Sequence, residues 1–288
     1  MAARTTVPSV RGRKVRRGDV PLVMVTAYDA PGARMVDAAG IDILLVGDSL
    51  AMVVLGYEDT LQVTVADMAH HTAAVARAKP SSLVVTDMPW LSYHVSIADT
   101  VTNAAALIRA GAEAVKVEGG RKRVPMIEAL VDAEIPVMGH IGLTPQSVNA
   151  MGGFKVQGRK HDAALALVED ARALEAAGCF CIVVEGVPDE VGRMITDAID
   201  VPTIGIGAGA GCDGQVLVLH DVLGIEDRVT PKFVRRYADL AADGVRALSA
   251  FADDVRTGAF PTAAESYSAT RPVPESMQGL YGSTSPQT

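Results

Sequence analysis

Eight short runs rich in Val, Ile and Leu recur along the chain, each ending in a polar or glycine-rich patch, and Ala-rich segments with helical amphipathic spacing lie between most of them. In order they are VPLVMVTAYD (20–29), IDILLVGDS (41–49), SLVVTDMPW (82–90), EAVKVEGG (113–120), IPVMGHIG (135–142), CFCIVVEGV (179–187), PTIGIGAG (202–209) and QVLVLHD (215–221). Strands without polar alternation, joined by helices, are buried on both faces and pair in parallel. Eight such units in about 250 residues suit a closed α/β barrel, the (β/α)8 TIM barrel, better than an open doubly wound sheet.

Gly111 and Gly178 follow helical segments ending in RA and EAA, where the chain needs a left-handed residue before the next strand. The pattern predicts an N-terminal arm over 1–19, the barrel over 20–256 and a Pro/Ser/Gly-rich tail over 257–288. The segment 143–162 is too long for a simple connection and reads as a lid over the active-site face.

With 49% hydrophobic and 4% aromatic residues the core is large and aliphatic. A net charge of −8 argues against attraction to nucleic acid or an anionic membrane surface, and small-molecule partners are expected instead. No apolar window reaches the length of a membrane span, and no signal-peptide pattern follows the basic start, so the expected location is the cytoplasm. Cys179, Cys181 and Cys212 read as reduced core thiols.

In such a barrel the C-terminal strand ends open into one mouth, so polar residues there carry chemistry. Asp48 and Ser49 end the second run, Asp87 the third, Lys116 and Glu118 the fourth, His140 the fifth and Glu185 the sixth. Adjacent strands lie about 4.8 Å apart, so Asp48, Asp87 and Glu118 converge and would repel one another unless a cation sits among them. Hard oxygen ligands without Cys or His suit Mg²⁺. Lys116 beside such a site would face a substrate carboxylate or a developing enolate. Ser49 reads as a contact to the same carboxylate or as a helix cap. Glu185, partly desolvated behind CIVV, reads as a general base or as a core carboxylate with a basic neighbour.

For each group there is a plainer reading as well. Asp48 and Asp87 also suit helix N-caps, Lys116 and Glu118 an ion pair, and His140 either a proton relay or a histidine satisfied by the backbone. The glycines of GIGAGAG (205–211) suit a phosphate cup or merely loop geometry. His70 and His71 fall on a helical segment away from the strand ends and take no role.

The strings LLVGDS, DMPWLSY, AVKVEGG, PVMGHIGLTPQS, GGFKVQGR, VVEGVP and GIGAG with CDGQVLV resemble the ketopantoate hydroxymethyltransferase family, in the same order over about residues 6–260. The resemblance implies a barrel of the phosphoenolpyruvate/pyruvate type assembled as a homo-oligomer, often a decamer. It implies hydroxymethyl transfer from 5,10-methylenetetrahydrofolate to 3-methyl-2-oxobutanoate, giving 2-dehydropantoate for pantothenate and coenzyme A synthesis. Carried over by position, it implies Mg²⁺ ligands at Asp48, Asp87 and Glu118, substrate contacts at Asp48, Ser49, Asp87 and Lys116, and a proton acceptor at Glu185. Trp90, Leu91 and Glu134 depart from the usual pattern, the last standing where a helix-ending Gly is common. The alternatives are a Mg²⁺-dependent lyase or mutase acting on a 2-oxo acid, a sugar-phosphate barrel, and a non-catalytic binding barrel.

Overall fold

The computed structural model describes residues 4–225 and 231–268. Eight parallel strands close into a barrel in chain order: β1 (Leu22–Thr26), β2 (Ile43–Val46), β3 (Leu83–Asp87), β4 (Ala114–Glu118), β5 (Val137–Gly142), β6 (Cys181–Glu185), β7 (Thr203–Ile206) and β8 (Gly214–Leu217). Each strand falls on one of the eight apolar runs, and the TIM barrel expected from them is the observed fold.

The chain divides into two compact units, Met1–Ala238 and Asp239–Thr288. All eight strands belong to the first. The helix Leu240–Thr257 belongs to the second, whereas the expected barrel span of 20–256 had included it. Residues 1–3 of the expected arm and 269–288 of the expected tail lie outside the described residues.

Alternation along each strand sorts the side chains into two cores. In β4, Val115 and Val117 point outward to the layer between sheet and helices, with Leu44, Val84 and Val184. Ala114 points into the barrel with Met24, Leu45, Val85, Met138 and Val183. The same parity carries Lys116 and Glu118 inward, above that aliphatic layer. An ammonium and a carboxylate two residues apart on a fully buried strand are therefore explained by position: they are the last inward places before the mouth.

The opposite end of the barrel is closed by the N-terminal segment. Val10, from the helix Val7–Arg11, joins the interior cluster. Lys14 is fully buried, and its Nζ donates to Asp213 Oδ2 at 2.7 Å and to the Val201 carbonyl at 3.0 Å. Asp213 in turn accepts the backbone N–H groups of Val15 and Thr203, both at 2.9 Å. With the remaining lone pairs occupied, the pair meets the condition under which buried charges are tolerated.

Gly111 and Gly178 adopt the left-handed backbone expected of them, with φ of 114° and 101°. Glu134 follows the helix Val124–Asp132 at φ 60°, so a side chain occupies a position that glycine would take without strain. The left-handed conformation costs a non-glycine residue about 1–2 kcal/mol. Glycine returns about 0.4–1 kcal/mol of that through a more disordered unfolded chain. Glu134 is exposed, so no packing is lost. Glu134→Gly is expected to stabilise the protein by up to about 1 kcal/mol, read as a higher urea midpoint with an unchanged denaturant slope; a lower midpoint would contradict the strain argument.

Candidate active site

Register brings the strand-end residues together. Asp87 pairs in register with Lys116 across β3 and β4, and Glu118 with His140 across β4 and β5. Glu185 ends β6 opposite Gly142 of β5. All five side chains follow the inward parity of their strands, and Asp48 enters from the turn just past β2. Asp48, Asp87, Lys116, Glu118 and His140 are each at most 4% exposed, so a small cup of charge lies beneath the mouth.

Lys116 occupies its centre. Its Nζ stands 3.0 Å from Asp87 Oδ1, 3.2 Å from His140 Nδ1 and 3.6 Å from Glu118 Oε1. His140 bridges the two sides, with Nδ1 3.3 Å from Glu118 Oε1 and Nε2 3.3 Å from Glu185 Oε2. The second contact lacks hydrogen-bond alignment. Asp87 Oδ2 accepts the backbone N–H of Asp48 at 3.0 Å. Ser49 stands at the start of the helix Leu50–Val53 without capping it; its Oγ meets the Tyr28 hydroxyl at 2.9 Å. The helix-cap readings of Asp48, Ser49 and Asp87 thus give way to contacts within the cup.

Protonation follows from this crowding. Burial, and then the charges of Asp87 and Glu118, hold the Asp48 carboxyl well above the usual range. Burial also raises Asp87, against the pull of Lys116. Burial works against charge on Lys116, but Asp87, Glu118 and Asp48 outweigh it and the ammonium is held more firmly than usual. Glu118 goes the other way: despite burial, His140 and Lys116 keep it ionised. Burial and Lys116 disfavour the imidazolium of His140, yet the neighbouring carboxylates, Glu118 foremost and then Glu185, lift it to about 9.

The expected three-carboxylate cage is not preformed. Among the described residues no group of three His, Cys, Asp or Glu side chains is disposed to hold a metal ion. Glu118 is already committed, with Oε2 accepting the Gln146 N–H at 3.1 Å and Oε1 facing His140 and Lys116. Asp48 and Asp87 remain a suitable pair. Both are pushed toward protonation by burial, and Asp87 Oδ1 is buried without a regular hydrogen bond. Mg²⁺ typically takes one or two carboxylates and completes its octahedron with water and substrate oxygens, so Asp48 and Asp87, with Glu118 beside them, fit that ion.

Three polar residues of the cup were not singled out from the sequence. Tyr93, fully buried in the β3 connection, donates its hydroxyl to Gln146 Oε1 at 2.5 Å and accepts the Glu118 N–H at 3.2 Å. Gln146 donates through Nε2 to Asp48 Oδ2 at 2.8 Å and to the Met88 carbonyl at 2.9 Å. Tyr28 holds Ser49, and His71, given no role from the sequence, reaches the Tyr28 carbonyl through Nδ1 at 2.7 Å. All lie in helices or connections, where strand-end counting does not look; the only signal was their occurrence in strings such as TAYD, LSY and TPQS.

The segment 143–162 is split. Leu143, Thr144, Gln146 and Val148 are buried, with Gln146 reaching into the cup, whereas Phe154 and Val156 are exposed. At the end of β7 the glycines follow packing: a Cβ on Gly207 would come within 2.8 Å of the Phe233 ring, and one on Gly209 would collide with the Asp189 carboxylate. A carboxylate at that place opposes a phosphate.

The arrangement places a fixed cation, a hard-metal carboxylate pair and a partly exposed carboxylate around one small volume, which suits proton abstraction beside a chelating oxo acid. The sequence profile of the ketopantoate hydroxymethyltransferase family matches residues 4–263. The chain is 54% identical over 264 residues to 3-methyl-2-oxobutanoate hydroxymethyltransferase 2 of Bradyrhizobium diazoefficiens, covering 92% of this chain and 89% of that protein. It is 57% identical over 246 residues to 3-methyl-2-oxobutanoate hydroxymethyltransferase of a Methylobacterium species, covering 85% of each. Among solved structures, phosphonopyruvate hydrolase complexed with oxalate and Mg²⁺ superposes with a TM-score of 0.58 at 14% identity, over 91% of this chain and 93% of that one. 2,3-Dimethylmalate lyase gives 0.56 at 18%, over 93% and 92%. At such identities these two structures speak to the fold alone. The profile and the close relatives, spanning nearly the whole barrel, show that the chain belongs to the ketopantoate hydroxymethyltransferase family.

Proposed function

We propose that the protein transfers a hydroxymethyl group from 5,10-methylenetetrahydrofolate to 3-methyl-2-oxobutanoate, giving 2-dehydropantoate in pantothenate biosynthesis. The observation that carries this reading is the Lys116-centred cup of Asp48, Asp87, Glu118, His140 and Glu185 in a chain of this family. Asp48 and Asp87, with Glu118 beside them, would hold Mg²⁺, which when bound would supply Lewis-acid polarisation of the 2-oxo acid.

The chain's own groups do the rest. Ser49 and Lys116 bind the acid's carboxylate and keto oxygens, and the Lys116 ammonium stabilises negative charge as it develops there. Glu185, at 15% side-chain exposure, is the proton acceptor, with the His140 ring 3.3 Å from its carboxylate. Glu118 keeps Lys116 and His140 charged. The C3 carbanion attacks the methylene carbon of the donor, and water then supplies the hydroxyl and releases tetrahydrofolate. Closure over the substrate is assigned to the exposed part of the 143–162 segment around Phe154 and Val156. The three buried, unpaired thiols accord with the cytoplasm, and no helix among the described residues is long and apolar enough to cross a membrane.

Self-association belongs to the same reading. The 18-residue helix Leu240–Thr257 has no buried residue, and Val245, Leu248 and Val255 on one stripe are 65%, 69% and 48% exposed. The helix next after β8, Leu219–Leu223, has five residues, and the outward Val23 of β1 is 44% exposed where Val115 and Val184 of β4 and β6 are covered. A parallel barrel needs helices over its whole outer face. A second copy of this chain supplies the cover.

Three outcomes test the proposal. Product should form from 3-methyl-2-oxobutanoate and methylenetetrahydrofolate, stop with EDTA and resume with Mg²⁺; Asp87→Asn should weaken Mg²⁺ binding at least about tenfold, and because the raised carboxyls must lose their protons, affinity should rise with pH. Folate-independent turnover would favour a lyase or mutase. Exchange of the C3 proton for deuterium without folate should fall about 100-fold or more in Glu185→Gln, and wild-type exchange there would remove Glu185 from the role. Leu248→Lys should shift the protein to smaller assemblies in sedimentation, whereas a wild-type profile that is already monomeric ends the self-association argument.

A further inference from the structure

An arginine at the mouth lacks an anion. In the turn Arg121–Arg123 that follows β4, Arg121 is paired with Asp170 at 2.8 Å. The Arg123 side chain makes no ion pair or hydrogen bond among the described residues, and its Nε is buried without an acceptor. The side chain is nevertheless held in place. Its stem crosses Gly119, where a Cβ would come within 3.0 Å of Cγ, and its guanidinium carbon stands 5.6 Å from the centre of the Tyr93 ring.

His94 packs on the same ring, with centroids 4.2 Å apart, and its Nδ1 is also buried without a partner. Burial, and then the charge of Arg123, push His94 down to about 4, so it is neutral and Arg123 carries the charge of the pair. Two buried nitrogens left open around one ring, one of them on a guanidinium, lose hydrogen-bond energy that an arriving carboxylate at Arg123 restores.

Tyr93 joins this pair to the reaction site, since its ring carries Arg123 and His94 while its hydroxyl holds Gln146 and the backbone of Glu118. The 2-oxo acid is too compact to use both places and has its carboxylate committed to Ser49 and Lys116. The one-carbon donor is long: its reacting methylene is followed by an aryl ring and then by a glutamate with two carboxylates. The connection that carries Tyr93 and His94 also presents Trp90, 41% exposed, and Leu91, 50% exposed at φ 69°, as an apolar surface for the aryl ring.

We infer that Arg123, supported by His94, binds a glutamate carboxylate of the one-carbon donor. The inference rests on the folate-dependent reading above and adds the residues that recognise the donor's anionic end. The test compares KM for methylenetetrahydrofolate with KM for methylenetetrahydropteroate, which lacks the glutamate, in wild type, Arg123→Gln and Arg123→Lys. Each ratio is taken within one protein, so it is independent of the folded fraction. In wild type the pteroate donor should have a KM about tenfold or more higher, the size expected for a charge-assisted hydrogen bond. In Arg123→Gln the ratio should fall to about one, mainly because KM for the folate rises, and Arg123→Lys should retain part of it. A wild-type ratio near one, or an undiminished ratio in Arg123→Gln, overturns the assignment while leaving the folate-dependent reaction standing. Turnover indifferent to either donor overturns both.

Discussion

Three carboxylates share one buried cup in this barrel because the Lys116 ammonium stands among them, within 3.0 Å of Asp87 and 3.6 Å of Glu118. Two like charges about 4 Å apart repel by about 4 kcal/mol at an effective dielectric of 20. Without a central cation the cup would empty itself of charge by protonation, as Asp48 and Asp87 are already pushed to do. The ammonium neutralises part of the excess and keeps Glu118 ionised.

The rest of the fold serves to keep that balance undisturbed. Parity on the strands separates an aliphatic layer inside the barrel from the charged layer above it, so the cup has a dry floor. The lower end carries buried Val10 and Lys14 paired with Asp213. At the upper end Tyr93 and Gln146 tie Asp48 to Glu118 through oriented donors. These neutral groups set where the carboxylates point, a matter that charge alone leaves open. Glu185 differs from the buried group in being partly exposed, which suits a base that meets a substrate arriving from the mouth.

The eight strands, their parallel order and the inward placement of Asp87, Lys116, Glu118, His140 and Glu185 were legible in the sequence, because a buried strand has a period of two and a barrel has one functional end. The roles carried by family resemblance went further than spacing did, since an Asp after a strand serves equally as a helix cap. Glu134 was legible as an oddity and has its physical counterpart in a left-handed backbone. The 20–256 barrel span was less legible: the helix Leu240–Thr257 has the amphipathic period of a barrel helix, and periodicity does not say which surface its apolar stripe covers.

Sequence by itself determined which residues line the inside of the barrel and at which end they stand, since both follow from local alternation and strand direction. Only the tertiary structure decided that Glu118 is engaged by Gln146, His140 and Lys116, that Tyr93 and Gln146 complete the cup, and that Arg123 is left without an anion among the described residues. The physical reason is the same for each. Hydrogen-bond commitments between residues dozens of positions apart depend on ångström-scale register between neighbouring strands and on the path of their connections, which no local pattern encodes.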